Sequence, residues 1–184
     1  MSEIEIEIDG NLVKANQGDS IISIADREGI DVPRFCYHKK LSVAANCRMC
    51  LVDVEGVPKA QPACSTPAAN GMIINTKNDK AKFAQKAVME FLLINHPLDC
   101  PICDQGGECE LQDVAMEYGS DVSKFNLGKR IVPDKGIGAL VQTDMTRCIH
   151  CTRCVRFGAE VAGIVEMGGT GRGEGVKIEP FLTE

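Results

Sequence analysis

The chain has 184 residues, 20 of them basic and 26 acidic, for a net charge of −6. That balance excludes the concentrated basic face that a nucleic-acid partner needs, and no apolar run approaches the roughly 20 residues of a membrane-spanning helix. Aromatic residues make up 4% and Trp is absent, so thin cores are expected, with bound metal contributing to folding and a metal-free chain that folds poorly.

Residues 3–8 alternate Glu with Ile, the pattern of a half-buried strand. Asp9-Gly10 is a hairpin turn signal, and Leu12-Val13-Lys14 returns as the second strand. This acidic, alternating start is neither a signal peptide nor an Arg-rich transit peptide, which points to a bacterial cytoplasmic or already processed organellar form. Asp19-Ser20 offers an N-cap, Ile21, Ile24, Ala25 and Glu28 follow at helical spacing, and Gly29 is the stop. A loop after Val32-Pro33 holds the first cysteines. Leu51-Val52-Asp53-Val54 and Met72-Ile73-Ile74 read as further strands. Asn78-Asp79 caps a second helix with two apolar rows, Phe83/Ala87/Phe91 and Ala84/Val88/Leu92, ending at Asn95-His96-Pro97. Glu108 to Tyr118 is a short helix with Leu111, Val114, Ala115 and Tyr118 inward, stopped by Gly119. Residues 119–144 read as irregular, and Val155 to Val165 as a short helix before a glycine-rich tail.

The ten cysteines fall into three groups. Cys36, Cys47, Cys50 and Cys64 are spaced C-x10-C-x2-C-x13-C. His96 precedes Cys100, Cys103 and Cys109 as H-x3-C-x2-C-x5-C. Cys148, Cys151 and Cys154 form C-x2-C-x2-C. Ten cysteines without a secretion signal point to metal ligation in a reducing compartment, and a disulfide scaffold is disfavoured there. Thiolates two residues apart on a loop reach neighbouring corners of one small inorganic cluster, so the spacing says iron–sulfur protein.

The first set offers four thiolates, the number that completes a 2Fe-2S centre, with ten residues where the plant-type pattern has four in its first gap. A zinc ribbon is the competing reading, since C-x2-C pairs also bind zinc. In the second set three cysteines and His96 would complete a cubane; an imidazole in place of a thiolate makes the site less negative and its potential higher. A helix C-cap role for His96 and a Cys3His zinc site compete. The third set opens a 4Fe-4S run but lacks a fourth cysteine; His150, lying between two of its members, reads as turned away from them. His38 reads as solvated, and Met49, Met116 and Met145 as packing residues. Gly168-Gly169-Thr170-Gly171-Arg172-Gly173 reads as a flexible or docking loop, not a dinucleotide loop, because no strong strand precedes it. No nucleophile–base pair stands out, nor any nicotinamide or flavin site.

The segment Asn95-His96-Pro97-Leu98-Asp99-Cys100-Pro101-Ile102-Cys103-Asp104-Gln105-Gly106-Gly107-Glu108-Cys109 resembles the large iron–sulfur subunit family of respiratory complex I, the NADH-quinone oxidoreductase. So do Cys36-Tyr37-His38, Asn46-Cys47-Arg48-Met49-Cys50, and the stretch from Met145 through Cys148-Ile149-His150-Cys151-Thr152-Arg153-Cys154 to Phe157. The resemblance implies an α+β chain: a β-grasp 2Fe-2S ferredoxin domain at 1–78, a His/Cys3-ligated 4Fe-4S domain at 79–119, and a partial, truncated 4Fe-4S ferredoxin-like region at 120–184. It implies 2Fe-2S on Cys36, Cys47, Cys50 and Cys64, 4Fe-4S on His96, Cys100, Cys103 and Cys109, and three corners of another 4Fe-4S cluster on Cys148, Cys151 and Cys154. The implied role is electron relay from a flavin-bearing NADH-oxidising partner towards quinone, with no substrate chemistry on this chain. Its implied setting is the peripheral arm of the complex, without membrane insertion, on the cytoplasmic side of a bacterial inner membrane or the mitochondrial matrix side. The alternatives are an electron-transfer subunit of an NAD-linked hydrogenase or formate dehydrogenase, and a zinc-stabilised interaction module. Ala45 stands where family members commonly have Gly, so a positive φ there would be strained.

Overall fold

The computed structural model describes residues 2–133 and 136–181. The alternation of Glu with Ile produces β1 (Glu3–Ile8), which pairs antiparallel with β2 (Asn11–Asn16) in the order Glu3 opposite Asn16 to Ile8 opposite Asn11. Asp9 (φ 50°) and Gly10 (φ 85°) make the tight turn, both left-handed, as a two-residue hairpin with right-handed twist requires. The Asp9 carboxylate then accepts from the Thr76 amide at 2.7 Å, which ties the turn to the end of the central strand.

α1 (Ile21–Arg27) follows, with the Ser20 hydroxyl accepting from the Ser23 amide at its N-terminus. β3 (Leu51–Val54), β4 (Gln61–Pro62) and β5 (Ile73–Asn75) complete a five-stranded sheet in the order β2-β1-β5-β3-β4. Only β1 and β5 run parallel within it. This is the β-grasp order, with α1 laid over the sheet. Ile4, Ile6 and Ile8 of β1, Ile21, Ile22 and Ile24 of α1, Val52 and Ile74 are buried together. The thin-core expectation fails for this unit: branched aliphatic side chains replace aromatics, and the core also takes in Cys50 and Cys64.

α2 (Asp79–Leu93) starts at the Asn78 cap, whose side chain accepts from the Ala81 amide at 2.9 Å. It packs on the sheet through buried Gln85, which donates to the carbonyl of Leu51 at 3.0 Å. Its buried row is Ala81, Gln85 and Met89, so the expected Phe83/Ala87/Phe91 row faces outwards, with Phe83 77% and Phe91 74% exposed. α3 (Glu110–Tyr118) ends at Gly119 as expected, but not in a left-handed cap: φ is −86°. Glycine is required there because a Cβ would lie 2.3 Å from the carbonyl oxygen of Ala115. Residues 119–144 hold no regular element among those described. α4 (Arg153–Phe157) runs into a π turn over Gly158–Ala162.

The glycine-rich tail departs from the loop expected there. Met167–Thr170 is a strand, β6, paired antiparallel with β7 (Lys177–Pro180). Gly168 is small for packing reasons, since a Cβ would press into the Phe181 ring at 2.3 Å. Among the described residues no helix is long and apolar enough to cross a membrane.

Ile74 is fully buried on the strand that joins β1 to β3. Ile74→Ala is expected to cost about 3 kcal/mol in denaturant unfolding; a loss below about 1 kcal/mol would show that the sheet does not depend on it.

Candidate metal centres

The first set sits where the β-grasp core meets a long loop. Cys36, Cys50 and Cys64 are buried, and Cys47 is half-buried. The thiols lie near enough to shift one another's protonation: interaction with Cys47 and Cys64 holds Cys36 far below the ordinary thiol range, interaction with Cys64 brings Cys50 to about 7, and Cys47 and Cys64 are pushed up in turn. Metal binding takes thiols as thiolates, so the protons still held by Cys47 and Cys64 would be released as a metal binds. The loop turns sharply through two left-handed residues, Ala45 (φ 51°) and Arg48 (φ 60°). The alanine does therefore occupy the strained backbone anticipated for it. The turns aim backbone amides inward: Cys36 N–H donates to Cys47 Sγ at 3.4 Å, and Met49 N–H to the same sulfur at 3.5 Å.

The second set is carried by a single loop between α2 and α3. Cys100 opens a 3-10 turn over Cys100–Ile102, Cys103 closes it, and Cys109 is the residue before α3. His96 faces the same space. Together the four line a cavity of about 130 Å³ walled by Leu93, Leu111 and Ala115. At about 30 Å³ of liquid volume per water, that is room for several waters' worth of inorganic core. Burial, reinforced by the Lys129 and Arg147 charges and opposed by Asp99, holds the His96 pKa below its ordinary value. The imidazole is therefore neutral near pH 7, as a metal ligand must be. Gly106 lets the loop close: a Cβ would lie 2.6 Å from the Cys100 carbonyl oxygen and 3.1 Å from that of Cys103.

The third set is only partly gathered. Cys148 and Cys151 line a cavity of about 760 Å³ that His96, Cys103 and Cys109 also line. Cys154 opens instead into a second groove, of about 930 Å³, bounded by His38, Leu41 and Phe157. Two left-handed residues, His150 (φ 55°) and Thr152 (φ 60°), coil this loop, and the His150 amide donates to Cys148 Sγ at 3.4 Å. Burial, reinforced by the Arg130 charge, holds the His150 pKa below its ordinary value, and its Nε2 is buried without a hydrogen-bond partner among the described residues. His38 is exposed, with its ring accepting from the Lys40 amide at 3.2 Å. Met49 and Met145 are buried packing residues; Met116 is not, being 88% exposed on the outer face of α3.

One apolar junction touches all three sets. Phe35 and Met49 from the first loop, Met89 from α2 and Leu111 from α3 are buried together, and Cys47, Cys109 and Cys151 pack against them. Nearby, Arg147 pairs with Asp99 at 2.7 Å, binding the third loop to the second and holding the Asp99 carboxyl below the usual range. As they stand, no group of three or more His, Cys, Asp or Glu side chains among the described residues is placed to hold a metal ion. A cluster distributes its protein ligands over several irons, and its donors are therefore set apart.

Three family models cover most of the chain. They are a 2Fe-2S iron–sulfur cluster binding domain over residues 1–79, the NADH-ubiquinone oxidoreductase-G iron–sulfur binding region over 85–124, and the ferredoxin-like domain of NADH-quinone oxidoreductase subunit 3 over 138–184. The mitochondrial NADH-ubiquinone oxidoreductase 78 kDa subunit of Candida albicans is 52% identical over 99% of this chain. The chain belongs to the large iron–sulfur subunit family of NADH:quinone oxidoreductase. The mitochondrial NADH dehydrogenase [ubiquinone] iron-sulfur protein 1 of Solanum tuberosum is 55% identical over 97% of the chain, and the 75 kDa subunit of Reclinomonas americana 53% over 97%. The chain spans 26%, 24% and 26% of these three relatives' own lengths. Among solved structures, a chain of the NAD+-reducing [NiFe]-hydrogenase in the H2-reduced state has the same fold, with a TM-score of 0.81 at 25% identity over 97% of this chain and 75% of that one. The cofactors of the family domains matched here are one 2Fe-2S cluster and one or two 4Fe-4S clusters.

The apolar junction and the arginines of the third loop escaped the sequence reading. Arg153 and Arg156, three apart beside Cys154, carried the available signal, since that spacing places both on one helical face.

Gly106→Ala is expected to force open the 100–109 loop, giving faster amide exchange there and less iron retained. Unchanged exchange would mean that the loop tolerates the added Cβ.

Proposed function

We propose that this chain relays electrons within the NADH-oxidising arm of a respiratory NADH:quinone oxidoreductase. The observation that carries the reading is the gathering of three ligand sets around one apolar junction, in a chain whose relatives are subunits of that enzyme. In this reading Cys36, Cys47, Cys50 and Cys64 hold 2Fe-2S, and His96, Cys100, Cys103 and Cys109 hold 4Fe-4S. Cys148, Cys151 and Cys154 hold three corners of a further 4Fe-4S cluster. The units divide at about residues 78 and 119, after the β-grasp core and after α3.

Bound clusters supply reversible one-electron storage. The chain's own residues do the rest. Thiolates and one neutral imidazole bind the irons. The amides of Cys36, Met49 and His150, aimed at sulfur, stabilise added negative charge and so favour reduction. Phe35, Met49, Met89 and Leu111 exclude water between the sets. Electrons arrive from a flavin-bearing, NADH-oxidising partner and leave towards quinone through other subunits. No substrate bond is made or broken on this chain. Its place is peripheral, held to the membrane through the complex, on the bacterial cytoplasmic or mitochondrial matrix side.

A second reading, an electron-transfer subunit of an NAD-linked hydrogenase, rests on the shared fold at a TM-score of 0.81. Identity favours the first: 52% to the Candida albicans subunit against 25% to the hydrogenase chain.

His96→Cys tests the assignment. It replaces a neutral ligand with an anionic one, so the chain should keep its 4Fe-4S cluster at a lower midpoint potential in an EPR-monitored titration. An unchanged potential would sink the ligand role of His96.

A further inference from the structure

Arg153 and Arg156 project from one face of α4 onto the loop that carries the first thiols. Arg153 donates to the Tyr37 carbonyl at 2.9 Å and pairs with Glu110 at 3.0 Å. Arg156 makes more contacts with a single group. Its Nη1 donates to the Ser42 carbonyl. Its Nη2 donates both to the Cys36 carbonyl and, at 3.3 Å, to the Cys151 carbonyl. Its Nε reaches Thr152 Oγ1 at 3.4 Å. Two further contacts close the same seam: the Ser42 amide donates to Glu160 at 2.8 Å, and Asn46 Nδ2 donates to the His150 carbonyl at 3.1 Å.

The two carbonyls that share Nη2 belong to cysteines of different sets. One planar, half-buried guanidinium thus spans two candidate centres, and its fork of fixed donors matches directions that a lysine ammonium cannot reproduce together. Its charge also lies beside a cysteine whose bound group gains negative charge on reduction. A cation there stabilises the reduced form, the more so because the seam is partly shielded from water.

We propose, on the basis of the ligand assignment above, that Arg156 is a positioning residue for electron transfer. It holds the Cys36 and Cys151 loops at one spacing and raises the reduction potential of the first centre.

The test uses the protein purified anaerobically, as wild type, Arg156→Gln and Arg156→Lys. Iron and acid-labile sulfide are measured first; their absence from the wild type would sink the ligand assignment itself, and with it the basis for Arg156. With the wild type loaded, the 2Fe-2S EPR signal should titrate at a lower potential in Arg156→Gln, with Arg156→Lys nearer wild type because it keeps the charge. Amide exchange across residues 36–46 should rise in both variants, because neither keeps the fork. Loss of the cluster from Arg156→Gln with retention in Arg156→Lys also supports the proposal. An unchanged potential in a loaded Arg156→Gln overturns it, whatever the exchange does. Loss of the cluster from both variants overturns it too, since the residue would then serve the fold alone.

Discussion

Phe35, Met49, Met89 and Leu111 meet in a small apolar junction, and cysteines from all three groups pack against it. Its members come from separate stretches of chain: two from the loop around the first thiols, one from α2 and one from α3. Burying these side chains brings segments that are distant in sequence to one place. The Arg147–Asp99 pair and the Arg153 and Arg156 contacts then fix how the loops meet around it. Ion pairs at such half-exposed positions add little stability. Their effect is on geometry, and geometry governs transfer between neighbouring redox groups.

The loops themselves are held in unfavourable backbone conformations. Ala45, Arg48, His150 and Thr152 are all left-handed without being glycine. Each such residue costs about 1–2 kcal/mol. The neighbouring units offset that cost unequally. The β-grasp unit has a large isoleucine-rich core, while the second and third units bury only a few side chains each. Metal binding therefore bears most on the folding of residues beyond about 80. The third loop is also the one whose cysteines face two different cavities.

The sequence was most readable where a local period or cap decides structure. The Glu/Ile alternation, the Asp9-Gly10 turn, the Ser20 and Asn78 caps and the inward face of α3 all follow from the identity of a few neighbouring residues. Cysteine spacing likewise picks out the candidate ligand sets, because ligand reach is a short-range property. It was less readable where the outcome depends on which surface a helix meets. α2 has apolar side chains on two faces, and periodicity cannot choose between them; the sheet and the apolar junction took the Ala81/Gln85/Met89 row and left Phe83 and Phe91 outside. Met116 was misplaced for the same reason. The Met167–Thr170 strand was hidden because glycine has no strand preference of its own; here pairing with β7 forms it, and the Phe181 ring occupies the space beside Gly168. The arginine seam joins residues more than 100 positions apart, beyond any local pattern.

Iron, zinc and acid-labile sulfide per chain, measured on anaerobically purified protein, bear most directly on the claim that these are electron-transfer centres. Filling of the first two sets would give about six irons with matching sulfide, and filling of the third about ten. Zinc in place of iron, with no sulfide in freshly prepared protein, would contradict the claim and leave a zinc-stabilised interaction module in its place.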